Sequence, residues 1–78
     1  MDPEAAWDRL LEAYTNGDWS VVEESAEGLL QWLHRGGFPP RPVSNRDMGD
    51  LWNRAMVLSA CRFALTVARS HYFGENER

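Results

Sequence analysis

The sequence contains no lysine and a single cysteine, and none of its apolar runs reaches the roughly eighteen residues that a membrane-crossing helix needs. One cysteine excludes a disulfide framework and a cysteine-based zinc site. The N-terminus is acidic where a secretory signal would be basic, so the chain is expected to be soluble and cytoplasmic, with no membrane partner. With lysine missing, all eight basic residues are arginines, which favour planar, two-point contacts with carboxylates over diffuse attraction. A net charge of −4 argues against nucleic acid as a partner, because such binding rests on neutralising phosphates.

What the sequence does contain suits one small helical domain. At 78 residues, only about 60% of the unfolded surface is buried on folding, so a lone core is marginal and gains from a partner subunit. Four Trp, three Phe and two Tyr are the expected anchors of that core. Charge is divided along the chain. Residues 1–34 hold eight acids against Arg9, a net of −7, and residues 35–78 hold four acids against seven arginines, a net of +3. The acidic front half is therefore expected to meet the arginines of the back half, within one chain or between two.

The first helix is expected at residues 3–15. Asp2 can cap it, Pro3 fits its first position, and Asn16-Gly17 stops it. Ala6, Trp7, Leu10, Leu11, Ala13 and Tyr14 share its apolar arc. A second helix is expected at 19–35, opened by Asp18 or by a Ser20-x-x-Glu23 capping box and closed by Gly36-Gly37. Val21, Val22, Ala26, Leu29, Leu30, Trp32 and Leu33 form its apolar arc, and the short link between the two helices makes them an antiparallel hairpin.

A stiff strap with Pro39, Pro40 and Pro42 fills the loop at 36–44, and Phe38 is expected to tuck back against the hairpin. A long third helix then spans 45–73, with Ser44 to Asp47 as its cap and first turn, and Gly74 as its C-cap. Its first half reads as an apolar stripe of Met48, Leu51, Trp52 and Ala55, with Arg46, Asp50, Asn53 and Arg54 facing away. From Ala55 to Ala68 it is apolar almost all round. One hairpin covers one side only, so another subunit or protein is expected to cover the rest. Cys61 falls in this stretch and reads as a small buried hydrophobe.

Two resemblances follow from particular residues. Ala6-Trp7-x-x-Leu10-x-x-Ala13-Tyr14 followed by Gly17-Asp18-Trp19 makes residues 6–30 resemble one degenerate tetratricopeptide hairpin, which implies helix-on-helix packing and protein binding. Glu24-x-x-Glu27 with Asp47-Met48-Gly49-Asp50 and the following Leu51 is similar to the MazG-like all-α nucleotide pyrophosphohydrolases. That resemblance implies Mg²⁺ held by Glu24, Glu27, Asp47 and Asp50, a metal-activated water attacking a phosphoryl group, and Arg54 as a phosphate contact. The same residues have readings that need no metal: Asp47 capping a helix with Ser44, Asp50 paired with Arg54, and Glu24 and Glu27 on a solvated face opposite the core arc.

The sequence thus leads to an all-α, three-helix domain over residues 1–78, an antiparallel hairpin plus a long third helix after a proline-rich strap. The function it favours is association, as a homodimer or as a small subunit of another protein, without catalysis or cofactor. The interface candidates are Trp19, Trp32, Phe38, Met56, Arg62, Phe63, Val67 and Arg69, with Arg62 and Arg69 as interface ion-pair donors. The alternative is the Mg²⁺-dependent pyrophosphohydrolase.

Overall fold

The computed structural model describes residues 1–43 and 45–76, with side chains through His71. Its elements are three helices, α1 (Pro3–Asn16), α2 (Trp19–His34) and α3 (Asp50–Asn76). Asp2 caps α1 by accepting from the Glu4 and Ala5 amides at 3.1 and 3.3 Å. At the other end Gly17 turns left-handed at φ 72°, and the Asp18 amide reaches back to the Ala13 carbonyl at 2.9 Å. The expected Ser20–Glu23 capping box does not form. Ser20 lies inside α2, where its hydroxyl donates to Asp18 Oδ1 at 3.3 Å, and the cap residue Asp18 accepts no backbone amide of the helix through its side chain. α2 ends at His34, with Arg35 as its cap and Gly36 left-handed at φ 87°.

The strap is tied down at three points. The Trp32 indole donates to the Phe38 carbonyl at 2.8 Å, and the Arg41 amide donates to Glu4 at the start of α1 at 2.8 Å. Pro39 and Pro40 are buried. Gly37 lies directly against the Trp32 indole, with no room there for a Cβ. Phe38 meets Trp32 edge-on, yet 62% of it stays exposed, so the expected tuck is a contact at the rim of the hairpin.

α3 begins at Asp50, five residues later than the sequence reading placed it. Gly49 is left-handed at φ 96°, which a helix cannot pass through, and its carbonyl accepts the first helical bond from the Asn53 amide at 2.9 Å. Asp47 sits just outside and accepts from the Gly49 amide and the Asn53 side chain, each at 3.0 Å. Those bonds hold its carboxyl below the ordinary range, the Gly49 amide most, then Asn53, with Arg41 adding to them. The Ser44 part of the expected cap lies outside the described residues. At the far end α3 continues through Gly74 to Asn76, since glycine weakens a helix without forbidding it.

The first half of α3 faces the opposite way from its apolar pattern. Asn53 is only 4% exposed, whereas Leu51 is 82% exposed and Met48, Trp52 and Ala55 are also exposed. Polar demand decides the orientation. Arg54 turns inward to donate to the Leu33 carbonyl at 3.1 Å and the Gly37 carbonyl at 3.0 Å, satisfying the end of α2.

α2 is the central element. It packs against both neighbours, and α1 and α3 meet each other only marginally. Val22, Ala26, Leu29 and Leu33 of α2 join Trp7, Leu10 and Ala13 of α1, and Val57, Cys61, Ala64, Leu65 and Ala68 of α3. Small residues on α3 let it approach α2 closely. Arg54 at the end of α2 and Arg69 beside Glu23 near its start make α2 and α3 antiparallel, so α1 and α3 run parallel.

Candidate protein-binding face

Because α1 and α3 lean on α2 without closing on each other, an apolar cleft of about 180 Å³ remains between them. Trp7, Leu10, Leu11 and Tyr14 line one wall, and Ala60, Phe63 and Ala64 line the other. Val22 and Leu29 of α2 are fully buried, so α2 adds no further opening to solvent at these positions. At the mouth, Leu11 is exposed and Phe63 is 61% exposed. Trp52, Met56 and Phe63 fall within about 40° of one another on α3, so one apolar stripe runs from the cleft to the start of that helix. All three are exposed, as is Leu51 nearby.

Aromatic contacts fix the upper end of the cleft. Phe63 lies 6.3 Å from Tyr14, Tyr14 meets Trp19 edge-on at 5.5 Å, and Trp19 stacks on His71 at 4.2 Å. His71 contributes through its ring and not as a charge at the helix dipole. It stands more than a turn before the end of α3 and packs as an aromatic.

Of the sequence-derived interface candidates, Met56, Phe63 and Arg62 are exposed on α3, while Val67 is half-buried. Trp19 is half-buried in the aromatic contacts just described. Trp32 and Phe38 pair with each other at the end of α2 and take no part in lining the cleft. Arg69 is used within the chain, reaching Glu23 at 3.4 Å and Glu27 at 3.5 Å, and Arg9 reaches Glu24 at 2.9 Å. The acidic outer face of α2 is thus flanked by an arginine from each neighbouring helix. Leu11, Leu51 and Trp52, which periodicity groups on the apolar arcs of their helices, face solvent. A signal was present for them: from Leu51 to Ser70 the sequence has no acidic residue, which is uncommon for a helix with a solvated face.

The four carboxylates of the metal reading stand in separate roles. Glu24 and Glu27 take arginines on α2, Asp47 bonds the Gly49 amide and the Asn53 side chain just ahead of and within α3, and Asp50 pairs with Arg54 at 3.7 Å. Among the described residues no three His, Cys, Asp or Glu side chains lie close enough together to hold one ion. Arg54, expected at a phosphate, has its guanidinium on two backbone carbonyls. Burial pushes the Cys61 thiol up to about 11, which keeps it neutral and unreactive. No described helix is long and apolar enough to cross a membrane. Comparison with protein-family models, curated proteins and solved structures gives no match to this chain.

Proposed function

We propose that the protein is an association module that binds protein through the face shared by α1 and α3. The observation that carries this reading is the alignment of Trp52, Met56 and Phe63 on the exposed side of α3, beside an open apolar cleft. Scattered apolar residues are normal on a surface, but large apolar side chains aligned on one side of a helix next to a concave apolar site are the mark of a binding face. Aromatic and methionine side chains are the types enriched at the centre of such interfaces. The outward positions of α1 and α2 are more acidic: Asp8, Glu12, Glu24 and Glu27 face solvent there.

A photo-crosslinking amino acid placed at Phe63, and separately at Gln31 on the outer face of α2, tests the reading in the cell. The expected result is a discrete protein adduct from position 63 and none from position 31. Adducts in equal yield from both positions, or none from 63, would remove it.

A further inference from the structure

Asn16 ends α1 and Gly17 begins the turn into α2, and the pair has a chemistry of its own. The side-chain amide carbon of an asparagine stands close enough to the next backbone nitrogen for attack by that nitrogen to close a five-membered ring. A side chain on the following residue crowds the attack. Glycine has none, and its backbone turns freely enough to make the approach. Asn16-Gly17 is the single Asn-Gly pair in the sequence.

The pair is open to solvent. Asn16, Gly17 and Asp18 are all exposed, and apart from its chain neighbours nothing lies within 4 Å of where a Cβ on Gly17 would stand. Thr15 is tied to the Leu11 carbonyl at 2.6 Å and Asp18 to Ser20 at 3.3 Å, whereas among the described residues no hydrogen bond ties the Asn16 side chain. What restrains the reaction is the helix end. The ring is nearly flat, so it needs the Asn16 Cβ and the Gly17 nitrogen on the same side of the Cα–C bond, and helical ψ holds them apart. The Gly17 N–H is also engaged, donating to the Tyr14 carbonyl at 3.2 Å. Both restraints vanish when the last residue of α1 unwinds, and a helix end opens at far lower cost than the core behind it.

We propose that Asn16-Gly17 is a site of spontaneous covalent modification, reached by unwinding of the last residue of α1 while the three helices stay packed. The Gly17 nitrogen bonds to Asn16 Cγ, the Cγ–Nδ2 bond breaks, and the side-chain amide leaves as ammonia with the Gly17 proton. Water then opens the imide at either carbonyl, giving aspartate or isoaspartate at position 16, with no oxidation or reduction. Either product puts a negative charge at the carbonyl end of α1, one turn from Glu12, where the helix dipole and the like charge both oppose it. Isoaspartate also adds a backbone carbon just ahead of the turn that sets Trp19 edge-on to Tyr14 at 5.5 Å. The modification therefore loosens the upper end of the α1/α3 cleft, irreversibly and without an enzyme.

The full chain, incubated in mildly alkaline buffer with and without denaturing urea, tests this. Isoaspartate is counted by enzymatic methylation of its free carboxylate and placed by peptide mass mapping. The expected result is product at position 16 in both samples, formed at least about tenfold more slowly in the folded one, because only the open fraction of the helix end reacts. Urea too dilute to change helicity should leave the folded rate unaltered, and Asn16→Gln, whose ring would be one atom larger, should lose the signal in both samples. Equal rates with and without urea would overturn the restraint by the helix end, and no product at position 16 in urea would overturn the site. A folded rate that is absent, or that climbs in dilute urea in step with the unfolding constant, would overturn the local route and assign the reaction to global unfolding. Isolated isoaspartate product with the near-ultraviolet circular dichroism of the parent would overturn the effect on Tyr14 and Trp19.

Discussion

The guanidinium of Arg54, in the second turn of α3, holds the Leu33 carbonyl in the last turn of α2 at 3.1 Å. Its other terminal nitrogen holds the Gly37 carbonyl at 3.0 Å. One side chain thus closes a helix end 17 and 21 residues away in sequence, and the same bonds set the rotation of α3. Truncation at Arg54→Ala should cost about 1.5–3 kcal/mol, the range for hydrogen bonds to a charged group that is largely shielded from water. Arg54→Lys should recover little of that, because one ammonium cannot span two carbonyls as the planar fork does. Urea unfolding of the two variants measures both effects, and full recovery by lysine would show that charge alone matters there.

Gly37 supplies a second check on the strap. A Cβ at this position would overlap the Trp32 ring, whereas at Gly17 nothing stands in the way. Gly37→Ala should therefore push the indole off the Phe38 carbonyl and cost about 1–3 kcal/mol, as overpacking does. Gly17→Ala meets no neighbour and should cost only about 1 kcal/mol, from its positive φ. The Trp32 indole N–H resonance separates the two: it should shift in Gly37→Ala and stay in place in Gly17→Ala.

These two sites also show how far the sequence could be read. Caps and apolar periods place α1 and α2 to within a residue, because Asp2, Gly17 and Gly36 act locally. The start of α3 fails because Ser44 to Asp47 has the spacing of a cap, while the deciding residue is Gly49, whose left-handed φ excludes it from a helix. The facing of α3 fails for a longer-range reason. Its apolar pattern near Leu51 and Trp52 is clear, but Arg54 and Asn53 are drawn inward by groups on other segments that periodicity does not see. The partly exposed second side of α3 was legible in the excess of apolar residues there. Leu11 as its counterpart on α1 was not, since a wheel cannot tell a core arc from the wall of a cleft.

Acid should act through Asp47. Its folded carboxyl titrates below the ordinary value, so the group binds protons more readily when unfolded. Its contribution is fully present above about pH 4 and is lost as pH falls through the lowered folded value. Asp47→Asn keeps an acceptor for the Gly49 amide but cannot titrate. Stability followed by urea unfolding from pH 6 downward should fall less steeply for the variant below about pH 4, with the curves parallel above it. Equal steepness in that acid limb would assign the loss to other carboxylates.

Core and face should separate cleanly under substitution. Leu29 is fully buried between α1 and α3, and Leu29→Ala should cost about 2–5 kcal/mol, through lost burial and the cavity left behind. Leu51, at 82% exposure, touches little within its own chain, so Leu51→Gln should leave the stability of a monomer within about 0.5 kcal/mol. Both are leucines in helices, and sequence pattern alone ranks them together. Denaturation in the Phe63→Glu background, where a charge blocks the proposed binding face, gives the monomer value directly. A large loss from Leu51→Gln in that background would mean α3 is turned inward at its first half after all, and the apolar stripe would then belong to the core.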